Sequence, residues 1–425
     1  MPRLQKISSI LIWAVISAAF IGPGTLTTAI AAGSLYKLDL VWAVLLSGLA
    51  CFMLLELAGR ISIATQQSLG ALLISKLGQS KGRRIALLLG LAVIFGCAAY
   101  EAGNIMGAVS GIELLSGIKP AWSTLGVALL AFFVLWTGRR KQIALLMTGL
   151  VILMGIAFCW LAFQNFPSLA QLSAALSNIH IPKEAQLITV GLIGTTIVPY
   201  NLFIGAGISR GQNMFSMRSG LLLSVGLGTL ITLSILIAGN VVARFDNFFD
   251  LQSALNFHLG AGAGILLGLG LLAAGFSSSI TSPYAAAIVA EDVLHLKQQW
   301  QIRIAWGIVL LSGFVFGISG YKPVPVIIAA QAINGMILPL VAVYLIIISN
   351  DAGLIPEKFR HHISYNLLLL LILFVVLIIG LHNIDKSLAQ IFAFETGNWT
   401  VILILAFVVI AFVVWNIWKR KTIRI

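Results

Sequence analysis

About twelve apolar runs follow one another along this chain, each long enough to cross a bilayer. They fall near 10–35, 41–60, 85–114, 121–138, 143–164, 185–208, 219–243, 262–291, 303–319, 324–348, 363–382 and 399–418. No hydrophilic segment between them is long enough for a soluble domain. Of the 425 residues, 60% are hydrophobic and only 9% are charged, against about 25% charged in a soluble protein. Such a chain hides its apolar surface only in lipid, so it reads as an all-α integral membrane protein. The formal charge of +13 does not make it a nucleic-acid binder, because the charges are short clusters between apolar runs. Of the 26 Lys and Arg, 20 fall in one set of alternate loops, including Arg3, Lys6, Arg83, Arg84, Arg139, Arg140, Lys297 and Arg424. The other set holds Lys37, Lys119, Lys183, Arg244, Lys322 and Lys386. The positive-inside rule then predicts an even number of spans in a plasma (inner) membrane, with both termini cytoplasmic.

Two proline motifs occupy matching places. Gly22-Pro23-Gly24-Thr25-Leu26 lies in the first span and Val198-Pro199-Tyr200-Asn201-Leu202 in the sixth. Proline removes a backbone donor and crowds the preceding turn, so both spans are expected to break near their middles. Paired breaks in two halves point to a transporter's substrate site. Each half would hold five spans, an odd number, so the second half starts from the opposite face of the membrane. The expected architecture is LeuT-type: residues 1–164 and 185–348 form two inverted five-helix repeats, and residues 363–418 add two C-terminal spans. The plainer reading is that Pro and Gly only kink these helices for packing.

Several residues near the breaks can carry chemistry. Interrupted helices leave backbone groups and helix-end dipoles at mid-membrane. Thr25, Thr27, Thr28, Thr195, Thr196, Tyr200 and Asn201 add neutral hydrogen-bonding groups. Glu101, in the third span, is a carboxylate at membrane depth; it must be paired, hydrated or protonated, and a proton-coupling role competes with a structural one. Asn104 lies three residues on, on the same helical face. Glu56 has Arg60 at i+4, which favours an ion pair over a second proton site. Ser277, Ser278, Ser279 and Thr281 in the eighth span suit close helix packing, with contact to a sodium ion or the substrate as the second reading. Gln331 and Asn334 in the tenth lie three apart, as a polar face that needs partners.

Other chemistries find no support. Cys51, Cys97 and Cys159 lie within apolar runs and show no disulfide or metal-ligand spacing. No catalytic motif stands out, so neither an enzyme nor a cofactor is expected. His180, His258, His295 and His382 fall in loops or at span ends, and His361-His362 reads as a solvated interfacial pair. The first run follows Arg3 and Lys6 like a signal peptide, but its length and its Gly-Pro-Gly motif make it a retained span.

These residues resemble the Nramp family of proton-coupled divalent-metal transporters. The strongest stretch runs from Phe20 to Leu69, with FIGPGTLTTAIAAGSLYKLDLVWAVLL and then ELAGRISIATQQSL. VPYNLF, LLAAGFSSSITSPYAAAIVAE and QAINGMILPL are similar to the family's sixth, eighth and tenth spans. The resemblance covers about Ala18 to Leu340. It implies the LeuT-type fold and a substrate held between the first and sixth spans. The family's metal ligands are largely replaced: Gly22 stands for its Asp, Thr25 for its Asn, Val198 for its Met, Tyr200 for its His and Gly205 for a second His. Gln331 matches.

The expected site is therefore Gly22, Gly24, Thr25, Thr195, Val198, Tyr200, Asn201, Gln331 and Asn334, with Glu101 and Glu56 as candidate proton carriers and no metal cluster. Lacking a fixed carboxylate, this pocket is read first as one for a small polar or carboxylate-bearing solute moved by H+ symport. The alternative is a divalent cation (Mn²⁺ or Mg²⁺) held by a remodelled site. A non-transporting sensor or scaffold is the third reading.

Overall fold

A computed structural model describes residues 13–422 except 183, 244–245, 295, 297 and 393–398; at 140, 187, 387, 389–392 and 419–422 only the backbone is described. The expected residues 10–12 of the first span, and Arg3, Lys6, Lys183, Arg244, His295, Lys297 and Arg424, lie outside the described residues. Among those described, eleven helices are long and apolar enough to cross a membrane, and a bent pair makes a twelfth span.

Span one is that pair, Ala14–Phe20 and Pro23–Tyr36, bent by 58°. Spans two to five are Val41–Thr65, Gln79–Ser116, Pro120–Thr137 and Arg140–Gln164. Span six is Gln186–Thr196 followed by Pro199–Ser209. Spans seven to twelve are Met214–Gly239, Gly262–Leu294, Gln299–Ile318, Pro323–Ser349, Ile363–Phe392 and Trp399–Thr422.

Both expected breaks occur, and both lie just before the proline. In span one Ile21 leaves the helical region and Gly22 is extended. In span six Ile197 and Val198 do the same. Proline pushes the residue before it toward extended backbone, and its fixed φ suits the first helical position. Pro23 and Pro199 thus start the second half-helices. The breaks differ in angle: span six stays straight enough to read as one 22-residue span, Ile188–Ser209. Pro283 and Pro339 sit inside unbroken helices in spans eight and ten.

Three short helices stand where the sequence suggested only loops: Leu69–Leu77, Leu169–Ser177 and Phe248–Leu259. Each begins with a side-chain cap, from Ser68, Ser168 and Asn247, and is too short to span a bilayer. Span three is longer than expected at its N-terminal end, and span eleven runs ten residues past its expected end at 382.

Span one lies along a lane of small residues on span seven. Trp13 packs on Gly220 and Phe20 on Gly228. Between them the Ser17 hydroxyl donates to Ser224 O (2.8 Å), and the Ser224 hydroxyl donates to Trp13 O (2.9 Å). Small residues four apart let two membrane helices approach closely. Farther along, the two backbones touch. A Cβ on Gly33 would sit 1.9 Å from Leu236 O, and one on Gly239 would sit 2.6 Å from Ile30 O. Ser34 and Lys37 close the same end by donating to Ala243 O (2.9 Å) and Asn240 O (2.8 Å).

A cavity of about 750 Å³ opens at the opposite end. Val15, Ser68, Ile143, Tyr284 and Asp292 line it, together with span-six residues between Phe203 and Ile208 and the Arg210–Gln212 turn that follows. At the Gly33–Gly239 end the two backbones are in contact, with a smaller pocket of about 420 Å³ beside Lys37 and Asn240.

Gly33→Ala tests the backbone contact. Neither backbone can yield locally, so overpacking is expected to cost about 1–3 kcal/mol. A lowered thermal midpoint of the detergent-purified protein would show it.

Candidate functional site

The bend in span one strands the last four carbonyls of Ala14–Phe20 inside protein, where each needs a donor. All four have one. Ser17 O accepts from the Ile21 amide (3.0 Å). Ala18 O accepts from the Ser278 hydroxyl (3.2 Å) and, more distantly, Ser277 (3.5 Å). Ala19 O accepts from the Tyr200 hydroxyl (3.0 Å), and Phe20 O accepts from the Thr25 hydroxyl. Three spans therefore meet at one helix end through hydroxyl groups: one, six and eight.

Thr25 and Tyr200, expected to hydrogen-bond a substrate, both donate to the backbone of the first half-helix, and Ser278, expected to serve helix packing, caps the same end. The other hydroxyls turn back on their own helices: Thr27 to Pro23 O (2.8 Å), Thr28 to Gly24 O (2.8 Å), Thr195 and Thr196 to Leu192 O (3.2 Å each).

Neither second half-helix has a side-chain cap. Gly22 and Val198 occupy the N-cap positions and offer none. The positive ends of Pro23–Tyr36 and Pro199–Ser209 thus face the breaks without a counter-charge. Gly22 is held close: its Cβ would meet Ser278 Oγ at 2.9 Å and Asn104 Oδ1 at 3.6 Å. Pro23 rests on Gly107 of span three.

Three helices bring polar side chains to this region. From span three, Asn104 Nδ2 donates to Glu101 Oε2 (3.3 Å), so Asn104 stands between Glu101 and the break. Glu101 is wholly buried, packs on Gly313 of span nine, and its Oε1 has no hydrogen-bond partner. From span ten, Gln331 lies over Gly24 and accepts the Tyr100 hydroxyl at Oε1. Asn334 turns away and donates to Gly96 O (3.0 Å), leaving its Oδ1 without a partner. From span six, Asn201 is 1% exposed, and neither Oδ1 nor Nδ2 finds a partner. A buried amide left this way costs about 1–3 kcal/mol, an unusual feature in a structural side chain.

The cavity ends at Phe203 and Ile204, within one turn of Asn201. No group of three or more His, Cys, Asp or Glu able to hold a metal occurs among the described residues.

Tyr100 is the residue the sequence reading missed. It touches Gln331 and stands edge-to-face with Tyr200, ring centres 6.0 Å apart. A phenol in an apolar span needs a hydrogen-bond partner for its hydroxyl, and that was the available signal.

Glu56 is not at the breaks. Its carboxylate binds Arg60 (2.5 Å), Arg218 (2.9 Å) and the Tyr365 hydroxyl (2.7 Å). Arg60 also donates to Phe359 O (3.4 Å). This ties spans two, seven and eleven together, a structural ion pair with an added long-range partner. His361 likewise departs from expectation. Only His362 is exposed; the His361 ring stacks on Tyr365 at 4.6 Å with both ring nitrogens buried.

Two outcomes follow from this cluster. Glu56→Ala strands a guanidinium and is expected to destabilise by about 3–5 kcal/mol. His361 lies before span eleven; burial, then the nearby Arg60, lowers its pKa from 6.5 to about 4, with Glu56 opposing and Arg218 adding to the effect. Between those values the unfolded chain binds more protons than the folded one, so stability falls as pH drops from 6.5 toward 4. His361→Phe is expected to flatten that part of a thermal-midpoint profile against pH.

Comparison with known proteins agrees with this geometry. The model of the family described as natural resistance-associated macrophage protein-like (Nramp) matches residues 13–384. The divalent metal cation transporter MntH of Erwinia tasmaniensis is 22% identical over 383 residues, covering 86% of this chain and 91% of the relative. That of Ralstonia nicotianae is 27% identical over 368 residues, covering 80% and 82%. Among solved structures, a mutant of the Eremococcus coleocola manganese transporter aligns with a TM-score of 0.80 at 17% identity, over 98% of this chain and 95% of that one. The same transporter bound to an aromatic bis-isothiourea substituted compound gives 0.79 at 18% identity, with the same coverage. This chain belongs to the Nramp family and has the fold of its membrane transporters.

Proposed function

We propose that the protein carries a divalent cation, partly hydrated, through a site of neutral oxygen donors between spans one and six, coupled to H+. The observation that carries this reading is a pair of buried oxygens with no hydrogen-bond donor on the helices around the break, Asn201 Oδ1 and Glu101 Oε1, with Asn201 Nδ2 unpartnered beside them. Unpaired acceptors call for a positive partner. The relatives' description as divalent metal cation transporters supports the same choice. It shifts the preference away from the organic solute that the missing carboxylate first suggested.

The donor set bears on which cation. Amide, hydroxyl and carbonyl oxygens suit hard ions such as Mg²⁺ and Mn²⁺, and Mg²⁺ keeps several waters. Val198, where the family's thioether stands, offers nothing to a soft ion. Asn201 and Gln331 would contact the cargo or its water shell, and Gly22, Gly24, Thr25 and Tyr200 would shape the break. Thr195 and Asn334 belong to the surrounding shell. Glu101 would carry the proton: a wholly buried carboxylate whose one hydrogen-bond donor is neutral needs either a proton or a passing cation to neutralise it. Glu56, already matched by two guanidinium groups, takes no part.

A second reading keeps the small polar or carboxylate-bearing solute. It rests on the two uncapped half-helix N-termini, which favour an anionic group.

Purified protein in liposomes separates them. Saturable uptake of Mg²⁺ or Mn²⁺, stimulated by an inward proton gradient, is expected, with Cd²⁺ a poor competitor. Asn201→Ala is expected to weaken uptake about tenfold or more. Glu101→Gln is expected to abolish the dependence on the gradient. No cation uptake, with saturable movement of a carboxylate or amino acid, would select the second reading.

A further inference from the structure

We propose that Tyr100 is a positioning residue, a latch that holds Gln331 in an unloaded orientation and so sets the affinity for cargo. The proposal rests on the cation reading above and adds a residue that neither the sequence nor the comparisons singled out.

The geometry is specific. Tyr100 is 6% exposed and Gln331 7%. The Tyr100 hydroxyl donates to Gln331 Oε1. Gln331 is thereby pressed onto Gly24: a Cβ there would lie 1.5 Å from Gln331 Nε2 and 2.5 Å from its Cδ. The carboxamide is turned with its oxygen on Tyr100 and its nitrogen on the break. An amide N–H edge carries positive partial charge and donates; it cannot ligate a cation. The side chain that could offer the break an oxygen therefore offers it a donor.

Tyr100 is itself held. Its ring meets Tyr200 edge-to-face, and Tyr200 donates to Ala19 O. The latch is thus continuous with the capped end of the first half-helix. Loading a cation requires Gln331 to leave Tyr100 and turn its oxygen toward Gly24. The hydroxyl bond opposes that turn. Closure of the bond after release restores the unloaded state.

Removing the hydroxyl alone, in Tyr100→Phe, keeps the ring contact with Tyr200. It is expected to lower the KM for Mn²⁺ or Mg²⁺ uptake by about three- to tenfold, the effect of one net hydrogen bond. The maximal rate is expected to stay level or fall, because release loses its restoring bond. Gln331→Ala is expected to raise KM, and in that background Tyr100→Phe is expected to change nothing further. A raised or unchanged KM in Tyr100→Phe would overturn the latch, as would an undiminished effect without Gln331.

A cargo-free readout keeps the two proposals apart. Thermal midpoints of the wild type, both single variants and the double variant form a cycle. A coupled pair gives a double variant less destabilised than the two singles predict together. Additive shifts overturn the latch whatever the cargo. Coupling without any cation uptake leaves the latch in place and removes only the cation reading.

Discussion

The rest of the structure depends on how one helix end is satisfied inside protein. Ala14–Phe20 stops in the interior of the molecule, and water is not there to meet its carbonyls. Ser278, Tyr200 and Thr25 supply the donors from spans eight, six and one. Each hydroxyl is a short side chain, so each donor helix must lie close to the break. The small residues of span seven, which admit Trp13 and Phe20, bring the half-helix into that position. Closeness at the break and closeness at the lane are one packing solution.

Two buried carboxylates show what this environment does with charge. Glu56 meets two guanidinium groups and a phenol, and two of those contacts, to Arg218 and Tyr365, join distant parts of the chain. It is a fastening. Glu101 meets one amide, 3.3 Å away, and has an oxygen left over. The same side chain is a structural tie where cations converge and a candidate carrier where they do not. Their chemical difference lies in the neighbours, and the fold brings in those beyond the same helix, Arg218 and Tyr365.

That distinction marks how far the sequence could be read. The breaks were legible because a proline acts on the residues beside it, and Ile21-Gly22 and Ile197-Val198 obey that local rule. The Glu56–Arg60 pair and the Glu101–Asn104 pair were legible for the same reason, being i,i+4 and i,i+3 on one helix. Arg218 and Tyr365, which complete the Glu56 cluster, lie 162 and 309 residues away. Sequence could assign Tyr200 and Thr25 to the breaks but not name the carbonyls they donate to. Composition says that a hydroxyl is present, but its acceptor depends on which helix end crosses in front of it. The short helix Leu69–Leu77 was missed because nine mostly apolar residues, interrupted only by Ser75 and Lys76, read equally well as the fringe of a span.

The seam between Gly33 and Gly239 constrains how spans one and seven can part. Main chain meets main chain there, with no intervening side chain to swing aside on its own. A rotamer hop cannot open a seam of that kind; only displacement of a whole half-helix can. Any movement that parts spans one and seven there displaces a complete segment rather than one residue.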